Sequence, residues 1–113
     1  MEKVNEEVFG KLEKVLNSDV QKFMNITMDM AKTYEAKNHD YGNSFEQSLD
    51  KFGLVASVVR LGDKMNRVES LTKKKAQVKD ESIKDTLLDM ANYAIMTVMW
   101  INKSRENGNK DYQ

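Results

Sequence analysis

Cysteine and proline are both absent from this 113-residue chain, histidine occurs once, and positive and negative charges balance. Without cysteine there is no disulfide framework, no thiolate metal site and no cysteine nucleophile. The single histidine, His39, cannot build a histidine-rich zinc centre within one chain. Any metal must therefore be held mostly by oxygen, which suits Mg²⁺ or Mn²⁺ rather than Zn²⁺. Zero net charge argues against non-specific binding to nucleic acid or to an anionic membrane, since both need a basic excess; no direct nucleic-acid partner is expected. No apolar run approaches the ~18 residues that span a bilayer. The stretch from Ala94 to Ile101 is the longest, and Met1 to Glu7 is charged with no apolar signal region. The expectation is a cytoplasmic protein without a membrane partner.

The missing proline bears most on the fold. No helix is interrupted by a lost N–H, and glycine is sparse. What is there reads as helix. Val4, Val8, Leu12, Val15 and Leu16 recur every three or four residues among charges, the pattern of a surface helix. Ser18 with Gln21 forms a capping-box pattern that restarts a helix through Phe23, Met24, Met28, Ala31 and Tyr34. Lys37 to Asn43 has loop composition, with Gly42 free to take positive φ. Ser44 with Gln47 opens a short helix that Gly53 ends. A longer one carries Leu54, Val58, Leu61, Met65, Val68 and Leu71. Lys73 to Lys79 is a polar connector, Asp80 an N-cap, and the last helix runs to about Lys103. The spacing predicts an all-α, four- or five-helix bundle. It forms one domain over residues 1–104 with a disordered tail over 105–113. Around Met96 to Ile101 the last helix is apolar on nearly every side, which predicts a homodimer or homotetramer covering it.

Two polar stripes run along these helices. On the last one, Glu81, Asp85, Asp89 and Asn92 fall within about 80° of arc, with Ile83, Leu87, Ala91, Ile95 and Val98 on the other half. A solvated acidic face is one reading. The other is a metal or ligand site, because carboxylates at i and i+4 repel and this line runs into an apolar segment. On the middle helix, Arg60, Asp63, Lys64 and Arg67 lie within about 100°. They form either an exposed salt-bridge ladder or a phosphate-gripping face whose Asp63 joins the acidic helix across a metal. Gly62, on the other side, permits close helix packing. His39, Asp40 and Tyr41 make either an Asx-stabilised turn or a loop suited to stacking on a base and bonding its edge. Glu46 and Asp50 read as the outside of a short helix.

Three blocks in this order resemble a known family: Lys37-Asn38-His39-Asp40-Tyr41-Gly42, then Arg60-Leu61-Gly62-Asp63-Lys64-Met65-Asn66-Arg67, then Glu81 to Ala94. The resemblance, over about residues 35 to 100, is to the phage and bacterial group called nucleotide modification associated domain 1. That group looks related in layout to MazG-like and dimeric dUTPase-like pyrophosphohydrolases, all-α enzymes that use Mg²⁺ held by Glu-x-x-Glu and Glu-x-x-Asp pairs. The resemblance implies a nucleotide-handling protein of the (host) cytoplasm. Its activity would be a Mg²⁺-dependent (deoxy)nucleoside triphosphate pyrophosphohydrolase giving monophosphate and pyrophosphate. Asp63, Glu81, Asp85 and Asp89 would hold Mg²⁺ or Mn²⁺. Lys64 and Arg67 would act on the phosphates as catalytic residues, and His39, Asp40, Tyr41, Arg60 and Asn92 would complete the nucleotide site. The sequence departs from the enzyme pattern, however. Where the first acidic pair would sit it has Arg60-x-x-Asp63, and Glu81, Asp85 and Asp89 are spaced by four. More bases and fewer acids favour gripping phosphates directly. The alternative is a protein that binds or sequesters a nucleotide or cyclic nucleotide without cleaving it.

Overall fold

The computed structural model describes residues 18–41, 43–74 and 79–108. The first predicted helix (Val4 to Leu16), Gly42, most of the basic connector and the end of the tail lie outside these. Among the described residues there are four helices and no strand: α1 (Ser18–Tyr41), α2 (Ser44–Phe52), α3 (Val55–Thr72) and α4 (Lys79–Glu106). None is long and apolar enough to cross a membrane. The chain divides into two units, Met1–Ala36 and Lys37–Gln113. In the first, α1 exposes Phe23, Met24, Ile26 and Met28.

Several boundaries fall where local chemistry asks for them. Gly53 ends α2 at φ 71, and its N–H donates to the Leu49 carbonyl. A side chain would resist that left-handed backbone. The N-cap of α2 is Asn43, one residue before the expected Ser44, and its side-chain amide donates to Glu46. No side chain caps the backbone N–H groups here; the predicted capping box is replaced by a side-chain to side-chain contact between Asn43 and Glu46.

Other boundaries differ from the expectation. The segment from Lys37 to Tyr41 is helical and not a loop. Asn, His and Asp each cost a helix only a few tenths of a kcal/mol, too little to stop one already propagating. Asp80 sits inside α4 and does not precede it. At the other end α4 continues to Glu106, so the start of the predicted tail is helical. The chain leaves the helix at Gly108, with φ 75.

In the second unit α2, α3 and α4 pack on one another, the pair α3–α4 most extensively. The core is small and lies at the end where all three meet. Phe45, Leu49 and Trp100 are buried there, with Leu54, Ala56, Tyr93, Met96 and Ile101 packed around them. Phe45 meets Tyr93 edge-on at 4.8 Å between ring centroids, a geometry that suits the aromatic quadrupoles. The buried Trp100 indole donates to Asp50 over 2.9 Å, and Lys103 reaches Glu46 over 2.7 Å. The two carboxylates read as surface residues are therefore the anchors that fix α2 on α4.

Candidate functional site

The α3–α4 pair is antiparallel, and its contacts form a ladder. Ser57 meets Thr97 (2.9 Å between hydroxyl oxygens), and the Arg60 guanidinium lies over the Tyr93 ring at 5.4 Å. Lys64 Nζ is 3.3 Å from Asp89 Oδ2, and Arg67 Nε donates to Thr86 Oγ1 at 3.3 Å. Each step moves three or four residues up α3 and three or four down α4, the repeat that keeps one face of each helix toward the other. The basic stripe of α3 therefore faces the side of α4 that carries Asp89.

That side of α4 is not the apolar half. Thr86 and Thr97 are buried, while Leu87, Ile95, Val98 and Met99 are exposed. The threonines tolerate burial because each hydroxyl also donates to the carbonyl four residues back, Thr86 to Ser82 and Thr97 to Tyr93, both over 2.8 Å. No polar hydrogen is left unmatched. This hydroxyl seam escaped the sequence reading. Its signal was the spacing of Thr86, Tyr93, Thr97, Trp100 and Ser104, which holds to one face of a helix as regularly as the apolar residues do.

Asp89 is the hub of the polar region. Lys37, at the end of α1, approaches its other oxygen at 3.5 Å, so one carboxylate is shared by two ammoniums. Arg60 and Arg67 lie one turn to either side of Lys64 and contact Tyr93 and Thr86, so two lysines meet the acid and two arginines flank it along the seam. All are solvent-accessible, so the pairs contribute at most ~1 kcal/mol each to stability. What the arrangement offers is a field for anions. Asn92 is half-buried on the Asp89 side of α4, and His39 lies exposed on α1. Asp40 and Tyr41 end α1; their side chains lie outside the described set.

The remaining acids are spread out. Glu81 and Asp85 are exposed along α4, and Asp63 lies round the side of α3, on a groove bordered by α2. Among the described residues no three acidic or histidine side chains come together as a metal-binding group. A closed, all-protein metal cage is therefore not what these residues make. Mg²⁺, however, is usually bound through one or two carboxylates, with substrate phosphates and water completing its shell. Asp85 and Asp89, one turn apart beside the cationic stripe, suit an ion that arrives with its phosphate.

The second unit is thus an all-α domain whose longest helix pair presents a cationic seam. A family model for nucleotide modification associated domain 1 matches residues 37–101, which span every contact of that seam. The chain belongs to this family. No curated protein and no solved structure gave a match.

Proposed function

We propose that this chain is a nucleotide-handling protein that takes the triphosphate of a (deoxy)nucleoside triphosphate along the α3–α4 seam and, with Mg²⁺, cleaves it to monophosphate and pyrophosphate. The observation that carries this reading is the row of cations along the seam: Lys37 and Lys64 on Asp89, with Arg60 over Tyr93 and Arg67 on Thr86 one turn to either side. It agrees with the nucleotide-related family to which the chain belongs.

Charge explains how a triphosphate would enter. Lys64 and Lys37 donate to Asp89 in the free protein. Phosphate oxygens are stronger competitors for the same N–H groups, because they carry more charge and more acceptor sites. As the lysines turn to the phosphates, the Asp89 carboxylate is released, next to Asp85 on the same helix. These two acids, with help from Glu81, would hold Mg²⁺, which when bound supplies charge neutralisation and a more acidic water. Lys64 and Arg67 hold the charge that develops on the departing pyrophosphate. Arg67 is kept in place by its bond to Thr86, whose hydroxyl is itself fixed by the Ser82 carbonyl. Asn92 is the candidate for a contact to sugar or base. The exposed apolar half of α4 belongs against a second copy in a homodimer or homotetramer.

Binding without cleavage is the second reading. One observation favours it: the acid at the hub is already compensated by two ammoniums, and no three acids converge. Purified protein incubated with Mg²⁺ or Mn²⁺ and the common nucleoside triphosphates separates the two. Pyrophosphate release is the expected result. Failure to release it from any of them, with nucleotide binding that survives EDTA, would leave the binding protein.

A further inference from the structure

An open groove of about 390 Å³ lies where α2 meets α3, within the range of pockets that hold small ligands. Its floor and walls are apolar, with Phe45, Phe52, Val55 and Val59. Its far end is polar, with Arg60 and Asp63. Nothing in the phosphate chemistry above uses the apolar part. We propose that this groove takes the base and sugar of the nucleotide whose phosphates lie on the seam, with Phe52 stacking on the base and Asp63 accepting from an N–H on its edge. The inference rests on the triphosphate reading and gives the base and sugar a pocket in place of the single contact to Asn92, which does not line the groove.

Three features favour this occupant. Arg60 belongs to both regions: it lines the groove and lies over Tyr93 in the ladder. The groove therefore opens onto the first cation of the seam. From Val59 to Arg67 is eight residues of helix, about 12 Å, a span of the order of a ribose with its phosphates. The chemistry also fits. A base offers a π-face for Phe52, which is 59% exposed, and N–H donors for a carboxylate, a pairing that recurs in base recognition.

Calorimetry on the full chain tests this, with two probes: inorganic tripolyphosphate and the four deoxynucleoside triphosphates in a non-hydrolysable form. The nucleotides are expected to bind about tenfold or more tighter than tripolyphosphate, the scale of one aromatic–base stack. Phe52→Ala should remove most of that excess and leave tripolyphosphate affinity within about twofold. Asp63→Asn, an isosteric change at an exposed position, should alter the order of preference among the four bases. Equal affinity of nucleotides and tripolyphosphate overturns the groove assignment while the phosphate site stands. So does a Phe52→Ala protein that keeps its helical circular dichroism and the full nucleotide excess. If that variant changes only the sedimentation of the protein, the groove is a contact between copies and the proposal fails. Binding of neither probe overturns both the groove and the triphosphate reading.

Discussion

On the side of α4 that meets α3, the chain buries Thr86 and Thr97 and holds Asp89 between two lysines; on the other side it leaves Leu87, Ile95, Val98 and Met99 in the open. A lone soluble helix pair would do the reverse. The inward face is held by matched hydrogen bonds and ion pairs, which confer register and position more than stability. The outward face holds apolar surface that contributes nothing until something covers it. Under the proposed function the difference separates two jobs of the helix: one face would meet a ligand through the α3 cations, and the other would meet a second copy.

The inward side can be broken first where it ends in the core. Trp100→Ala removes the largest buried side chain there and leaves Asp50 without its indole donor, so a loss of about 3–5 kcal/mol is expected in chemical denaturation. Further along, Ser57→Ala removes one hydrogen bond of the seam. Because the Thr97 hydroxyl keeps the Tyr93 carbonyl, the expected cost is only about 1 kcal/mol. A loss above 3 kcal/mol would show that the seam matters more for stability than its geometry implies. The outward side is sharpened by Ile95→Glu. Stability of the isolated chain should move by less than about 0.5 kcal/mol, whereas sedimentation should shift to a smaller species if a second copy covers this face.

The smallest effect concerns α2 and α4. The hydrogen bond and charge of Glu46, with a further contribution from Asp50, raise the Lys103 pKa above its ordinary value. A raised lysine value means stabilisation that is fully present below the unfolded pKa and is lost as the pH climbs through the folded one. The difference in stability between the native chain and Lys103→Met should be constant through neutral pH and shrink only in strongly alkaline solution. A difference that vanishes between pH 6 and 8 would contradict the pairing.

How much of this was legible in the sequence varies by element. The bounds of α3, and Gly53 as the stop of α2, follow from local chemistry, so periodicity and a positive-φ glycine sufficed. The meeting of the Arg60 and Asp89 stripes was also within reach, since two long helices on either side of a short connector pack antiparallel. Four things were out of reach. Lys37 to Tyr41 has weak helix formers, yet no breaker precedes Gly42, and propagation carries α1 through it. The orientation of α4 could not be read from amphipathicity, because its threonines satisfy their own hydroxyls and its apolar half faces out of this chain. Gly62, expected to allow close packing, would place a Cβ in open space. The groove exists only where α2 turns onto α3, a tertiary fact without a sequence pattern. For the site, Arg60, Lys64 and Arg67 all contact α4 along one face of α3, and Asp85 and Asp89 follow one another along α4, whereas Asp63 lies on the groove side of α3.

The account turns on Lys64, the cation at the centre of the seam. The direct test is the affinity of the native chain and of Lys64→Gln for a non-hydrolysable deoxynucleoside triphosphate, measured by calorimetry at one fixed salt concentration. Losing a charge-assisted contact to phosphate should weaken binding by about 10- to 100-fold, with circular dichroism unchanged because Asp89 keeps Lys37. Equal affinity of the two proteins, or no binding by the native chain, would contradict a triphosphate site between α3 and α4.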